Sequence, residues 1–141
     1  MKILLGSDHG GYDLRLEVAK YLEELGHEVV QYGSKGGESV DYPLVAQAVC
    51  PKVLAGEGDF GILICGTGIG ISIAANKIHG IRAALCTDCY MAEFTRKHNN
   101  ANVLCMGGRV TGPGTACKIA ETFLSNGFEG GRHQRRIDEI E

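Results

Sequence analysis

A chain of 141 residues has the size of one domain and too little length for two independently buried cores. Its 14 Lys and Arg against 17 Asp and Glu give a formal charge of −3, which excludes the basic surplus of a general nucleic-acid binder. No apolar run approaches the ~18–20 residues of a bilayer span.

Glycine is in excess: 21 residues, about twice the usual ~7%, accompanied by only three prolines. Beside plentiful apolar runs, that excess implies tight backbone turns and not disorder. Met1–Leu5 resembles a signal peptide only until Gly6-Ser7-Asp8-His9 interrupts it, so a cytoplasmic protein is expected. The six cysteines lie mostly inside apolar segments and read as buried thiols of a reducing compartment, with room for one reactive exception.

In chain order, Lys2–Ser7 reads as a strand. A helix follows from about Gly11 to Leu25, with Leu14, Val18, Leu22 and Leu25 on one face and Gly26 as its stop. His27–Tyr32 is a second strand and the polar, glycine-rich Gly33–Tyr42 a loop. Pro43 opens a helix reaching about Ala55, which Pro51 is expected to kink or end early. Phe60–Cys65 is a nearly unbroken apolar run, as in a central parallel strand covered on both faces.

Gly66–Gly70 is a turn into a helix near Ile71–Lys77. Ile81–Cys86 is the fourth strand, Asp88–His98 a helix, Asn102–Met106 the fifth strand and Pro113–Ser125 another helix. The charged tail Gly130–Glu141 is expected to form a short helix. Five strands alternating with helices predict a single-domain, Rossmann-like three-layer α/β/α fold around a five-stranded parallel sheet, spanning residues 1–141. Ligands of such sheets bind beyond the strands' carboxyl ends, here just after Ser7, Tyr32, Cys65, Cys86 and Met106.

The strongest chemical feature is Cys65-Gly66-Thr67-Gly68-Ile69-Gly70. Glycines expose backbone N–H groups at a helix start, which favours an anion, and one such anion is the Cys65 thiolate. A core cysteine followed by a tight turn is the structural alternative. Asp8 and His9 close the first strand and would share the rim with Cys65 if the two strands are neighbours; equally, Asp8 could only cap the turn. His98 ends the fourth helix and could exchange protons with a sugar oxygen near neutral pH, whereas Lys97 reads as solvated charge.

Arg109 follows the fifth strand, and Arg132 and Arg136, four apart on one helical face, suit a phosphate monoester or plain surface charge. The glycine loop is G-x-G-x-G and not the dinucleotide G-x-G-x-x-G, and it follows the third strand instead of the first. Cys86-Thr87-Asp88-Cys89 matches C-x-x-C but lacks the second ligand pair of a zinc site, leaving a redox role as an alternative.

Taken together, Gly6-Ser7-Asp8-His9-Gly10-Gly11, Asp41-Tyr42-Pro43, Ile64–Gly70, Ala74-Ala75-Asn76-Lys77, Arg82-Ala83-Ala84 and His98-Asn99-Asn100-Ala101-Asn102 closely resemble the ribose-5-phosphate isomerase B family, almost end to end. The resemblance implies a Rossmann-like aldose–ketose isomerase that needs no metal or nucleotide cofactor. It implies a homodimer, or a dimer of such dimers, with each site completed by the neighbouring subunit.

By position, Cys65 becomes the base that moves a proton between C2 and C1, Thr67 its support, and the amides of Gly66, Gly68 and Gly70 part of the enediolate cradle. His98 would open the furanose ring, with Asp8 near the sugar oxygens and Tyr42 and Asn99 lining the pocket. His9, Arg109, Arg132 and Arg136 would hold the phosphate, with His98, Asn99 and Arg109 expected from the partner chain. The family also isomerises allose 6-phosphate and galactose 6-phosphate, so these sugars stay open beside ribose 5-phosphate. Non-catalytic phosphosugar binding is a further alternative; no nucleic-acid or membrane partner is expected.

Overall fold

The computed structural model describes all residues, Met1–Glu141. Five strands alternate with six helices: β1 (Lys2–Ser7), α1 (Tyr12–Glu24), β2 (Glu28–Gly33), α2 (Tyr42–Leu54), β3 (Phe60–Cys65), α3 (Ile69–Asn76), β4 (Ala83–Leu85), α4 (Cys89–Asn99), β5 (Val103–Gly107), α5 (Pro113–Leu124) and α6 (Arg132–Ile140). All strand pairs are parallel and the order is β2-β1-β3-β5-β4. The three middle strands are buried almost throughout, as their continuous apolar runs require, while β2 and β4 form half-buried edges.

Alternation along the strands divides the core in two. Ile3, Leu5, Ile62, Ile64, Leu104 and Met106 face α1, α4 and α5, where Phe123 packs edge-on against Phe60. Leu4, Leu63, Cys65, Val103 and Cys105 face α2 and α3. Each fully buried Ile or Leu in these layers contributes roughly 1.5–3 kcal/mol relative to exposure.

Three boundaries differ from those read along the sequence. Pro51 does not end α2 early: the helix runs on to Leu54 and closes with Ala55 N–H donating to the Pro51 carbonyl. Pro51 and Gln47, whose carbonyl loses its donor, both lie on the exposed face, where water replaces the missing bond. The α3 helix starts two residues earlier than expected, at Ile69, because Gly68 at φ +83° turns the chain directly into it. β4 shrinks to three residues because only β5 flanks it, and the Arg82 N–H bonds the Asn102 side chain instead of a ladder.

Helix α4 joins β4 to β5 and therefore runs antiparallel to both. Its N-terminus, capped by Asp88 accepting from Met91 N–H at 2.8 Å, lies at the strands' carboxyl ends, and its C-terminus returns to their amino ends. A six-residue parallel strand spans roughly 16 Å between its terminal Cα atoms. That length separates the two ends of the sheet, and with them the two groups of candidate residues.

Candidate active site

At the carboxyl rim, β1 and β3 are direct neighbours with Ser7 opposite Ile64, so Asp8 stands beside Cys65. The backbone makes this approach through glycine: a β-carbon on Gly108 would lie 2.5 Å from the Gly10 carbonyl oxygen, and one on Gly10 would lie 3.1 Å from Gly66. Three loops thus press together at one point, which accounts for part of the glycine excess.

Cys65 is 4% exposed, and its sulfur accepts a hydrogen bond from Gly68 N–H at 3.1 Å. At Gly68 a side chain would be strained by the left-handed φ and would meet the Met106 carbonyl carbon at 2.7 Å. Beyond it, the first-turn N–H groups of Gly70 and Ile71 have no acceptor within α3. They form a donor pair facing the rim, where negative charge is stabilised.

Thr67 does not touch the thiol. Its hydroxyl accepts from Ile69 N–H at 3.2 Å, so it shapes the entry to α3. Asp8 is 6% exposed and uses Oδ1 to accept from Gly11 N–H at 3.1 Å, fixing the turn beneath the site. His9 is exposed and held by Val40 N–H donating to Nδ1 at 3.2 Å. Tyr42 closes the opposite wall, so near that a β-carbon on Gly70 would lie 2.6 Å from its Cζ.

Arg109 reaches over the same loop, with Nη1 3.5 Å from the β-carbon position of Gly66 and its N–H bonded to the Gly66 carbonyl. Within its own chain Arg109 thus lies on the Cys65 side, because it follows β5 at the same rim.

The segment after β2 is tied down by a residue without a sequence signal. Buried Arg15 of α1 donates to the Ser7 hydroxyl, the Tyr32 and Ser34 carbonyls and Gln31 Oε1. Glu38 then accepts from the N–H groups of Lys35 (2.8 Å) and Gly36 (2.7 Å) and from the Ser34 hydroxyl. These donors, the Lys35 N–H foremost, hold its carboxyl down at about 2.

A carboxyl lowered on folding supports the loop fully above the ordinary carboxylate range and loses that support as pH falls towards 2. Protection of the Lys35 and Gly36 amides, relative to exchange of a free chain at the same pH, should therefore fall progressively below pH 4. Glu38→Gln should make their exchange fast at neutral pH already; equal protection in the two proteins at pH 7 would contradict this role.

The remaining predicted residues gather at the other pole. His98 and Asn99 end α4, and the His98 ring stacks on His133 of α6 with centroids 4.0 Å apart and planes 11° from parallel. Arg132 and Arg136 project from the exposed side of the same α6. Arg82 fixes this end by donating to the Asn99 and Asn100 carbonyls and to Glu141. Arg96 is buried, donating to Ala101 O and Asn100 Oδ1 beneath the helix end.

Cys65 and His98 therefore lie at opposite ends of the sheet within one chain, and Arg132 and Arg136 lie with His98, not with Cys65. Sequence reading did not single out Arg15, Glu38, Glu129 or His133; only the placement of His133 between two candidate arginines hinted at the last.

His98, Glu129 and His133 bring ligand atoms within 4.8 Å of one another. Parallel stacked rings aim their lone pairs side by side instead of at one point, which is poor geometry for a metal. For the C-x-x-C pair, burial, with Asp88 adding, pushes the Cys86 thiol up to about 12, which disfavours its thiolate and gives the redox alternative no support. Burial likewise pushes Cys50 to about 11.

Comparison with known proteins shows the family and the fold. The family model described as Ribose/Galactose Isomerase matches residues 3–140. The chain is 49% identical to ribose-5-phosphate isomerase B of Escherichia coli, covering 99% of this chain and 93% of that one. It superposes on the ribose-5-phosphate isomerase B structure from Clostridium thermocellum with a TM-score of 0.97 at 54% identity, covering 99% and 95% of the two chains. The Thermotoga maritima ribose 5-phosphate isomerase gives 0.96 at 52%, covering 99% and 96%. With a buried cysteine backed by a glycine nest, the expected parallel sheet and matches along its whole length, the chain belongs to the ribose/galactose isomerase family.

Proposed function

We propose that the protein interconverts ribose 5-phosphate and ribulose 5-phosphate. The observation that carries this reading is the Cys65 sulfur seated on the Gly68 N–H at the mouth of α3. Removing the C2 proton of an aldose needs a base beside it and donors where the oxyanion forms. In the proposed site Cys65 takes the C2 proton and returns it to C1, while the free first-turn amides stabilise the enediolate. A well-aimed donor contributes about 3–4 kcal/mol in such a site. His9 and Arg109 bind the phosphate from the Cys65 side, and Asp8 and Tyr42 border the sugar.

The working unit in this proposal is a homodimer. Exposed Ile69 and Ile73 on α3, Tyr90 and Met91 on α4, and Ile140 on α6 flank the short edge strand β4; Tyr90 is 72% exposed. Exposed apolar side chains on the elements around an unpaired strand edge suit a second copy of the chain. A two-fold axis that sets two β4 edges antiparallel brings the carboxyl rim of one protomer to the amino end of the other. The partner's His98 and Asn99 then reach the furanose ring, and the partner's Arg132 and Arg136 complete phosphate binding. Residues 1–141 act as one isomerase domain, with the 130–141 tail carrying these two arginines. Six unpaired thiols support a cytoplasmic setting.

Incubation with ribose 5-phosphate in deuterated water tests the chemistry. Deuterium should enter at C2 of the aldose and C1 of the ketose as the two interconvert. Folded protein that gives neither label nor product would refute the isomerase reading.

A further inference from the structure

His98 does not stand alone at the end of α4. Tyr90, Phe94 and His98 recur at intervals of four residues, and their rings form a row, with centroids 4.5 Å apart for Tyr90–Phe94 and 5.0 Å for Phe94–His98. His133 adds a further ring by stacking on His98. Phe94, tilted by 62°, and His133, nearly parallel, thus both pack against the imidazole. The Glu129 carboxylate spans the edge of the stack, with Oε1 3.5 Å from His98 Nε2 and 3.6 Å from His133 Nε2. Glu129 is anchored by its N–H donating to the Lys97 carbonyl at 3.0 Å. The His133 side chain is 6% exposed, and its Nε2 has no hydrogen-bond partner.

We propose that Glu129 and His133 are positioning residues for His98. Glu129 holds the Nε2–H and leaves Nδ1 to exchange protons with the sugar, and His133 serves as the neutral platform that fixes the ring plane. The inference rests on the isomerase reading above, in which His98 serves the site of the neighbouring subunit.

Opening the furanose transfers the O1 proton to Nδ1 as the O1 electron pair forms the C1 carbonyl. The bond from C1 to the ring oxygen breaks, its pair stays on that oxygen, and the imidazolium returns the proton there. No proton is gained or lost overall, but His98 carries a positive charge midway. Glu129 stabilises that charge, as a carboxylate behind a catalytic imidazole does in other proton-transfer sites.

A second charge on His133 would oppose it at 4.0 Å. Burial first, then His98 and Arg132, hold His133 below the ordinary imidazole range, with Arg136 adding and Glu129 opposing. On this part of α4, Lys97 Nζ bonds Glu93 at 2.6 Å, while buried Arg96 donates to the Ala101 and Asn126 carbonyls and to Asn100 Oδ1.

The test separates ring opening from proton transfer at carbon. Ribulose 5-phosphate cannot close a furanose, because the oxygen required carries the phosphate, so exchange of its C1 proton with deuterated water needs the Cys65 step alone. Glu129→Gln should lower kcat/KM for ribose 5-phosphate at least tenfold and move the acid limb of its pH profile to lower pH. The same variant should retain C1 exchange on ribulose 5-phosphate within about twofold, as expected when only general acid–base transfer at the ring is impaired.

His133→Ala should impair ribose 5-phosphate conversion selectively, and His133→Phe, which keeps the stack, should rescue it. Equal losses in the two reactions, an unmoved pH profile for Glu129→Gln, or failure of the phenylalanine to rescue would overturn the assignment. Absence of C1 exchange in the unaltered protein would instead overturn the isomerase reading beneath it.

Discussion

Replacing Cys65 with alanine is expected to abolish both isomerisation of ribose 5-phosphate and C1 exchange on ribulose 5-phosphate, leaving the fold intact. Both reactions pass through one proton transfer at carbon, and Cys65 is the only titratable side chain at the Gly66–Gly70 nest that points to the α2/α3 face. Loss of a positioned base lowers a rate by about 10²–10⁴, and the buried setting leaves little room for water as a substitute. Packing changes little, because a methyl group keeps most of the small side chain's apolar contacts.

Cys65→Ser sharpens the comparison. A hydroxyl can still accept from Gly68 N–H, yet it is a much weaker acid than a thiol and supplies almost no anion at neutral pH. A serine variant retaining more than a tenth of the activity, with an unchanged thermal transition, would exclude Cys65 as the base.

Mixing two inactive variants should restore activity. Cys65→Ala lacks the base at the carboxyl rim, and His98→Asn lacks the proton carrier at the amino end. If each site combines the rim of one subunit with the opposite pole of its partner, a heterodimer holds one site bearing both changes and one bearing neither. Equal mixing makes roughly half of the dimers heterodimeric, so about one quarter of the normal sites should return in a two-fold dimer.

Sites built within one chain would yield no recovery, since every site would keep one defect. Titrating one variant against a fixed amount of the other should give recovery that rises and then levels as heterodimers saturate. The positions of Cys65 and His98 at opposite ends of the sheet make this the most direct measure of how the site is assembled.

Local rules carried far along this chain because most of its elements are determined by their own residues. The apolar run Phe60–Cys65 forms β3 with the expected ends, and Lys2–Ser7 forms β1. Both strands are buried on two faces, so their composition is unmistakable. Prediction failed where solvent or a missing neighbour compensated a local preference. Pro51 is accommodated because its lost bond falls on the wet face of α2, and β4 is cut short because nothing in the chain pairs with its outer side. Arg15 and Arg96 were invisible as buried cations: their partners are mostly backbone carbonyls brought together only by folding.

Amino-acid order by itself determined the parallel α/β architecture, the glycine nest behind Cys65 and the residues able to handle a phosphate and a sugar. It did so because burial and turn geometry act over a few neighbouring positions. Tertiary structure alone decided how those residues divide: Asp8, His9, Tyr42, Cys65 and Arg109 at one end of the sheet, His98, Asn99, Arg132 and Arg136 at the other. The cause is directional, since a helix that returns the chain between parallel strands must run against them and carry its last residues a full strand length from where it began.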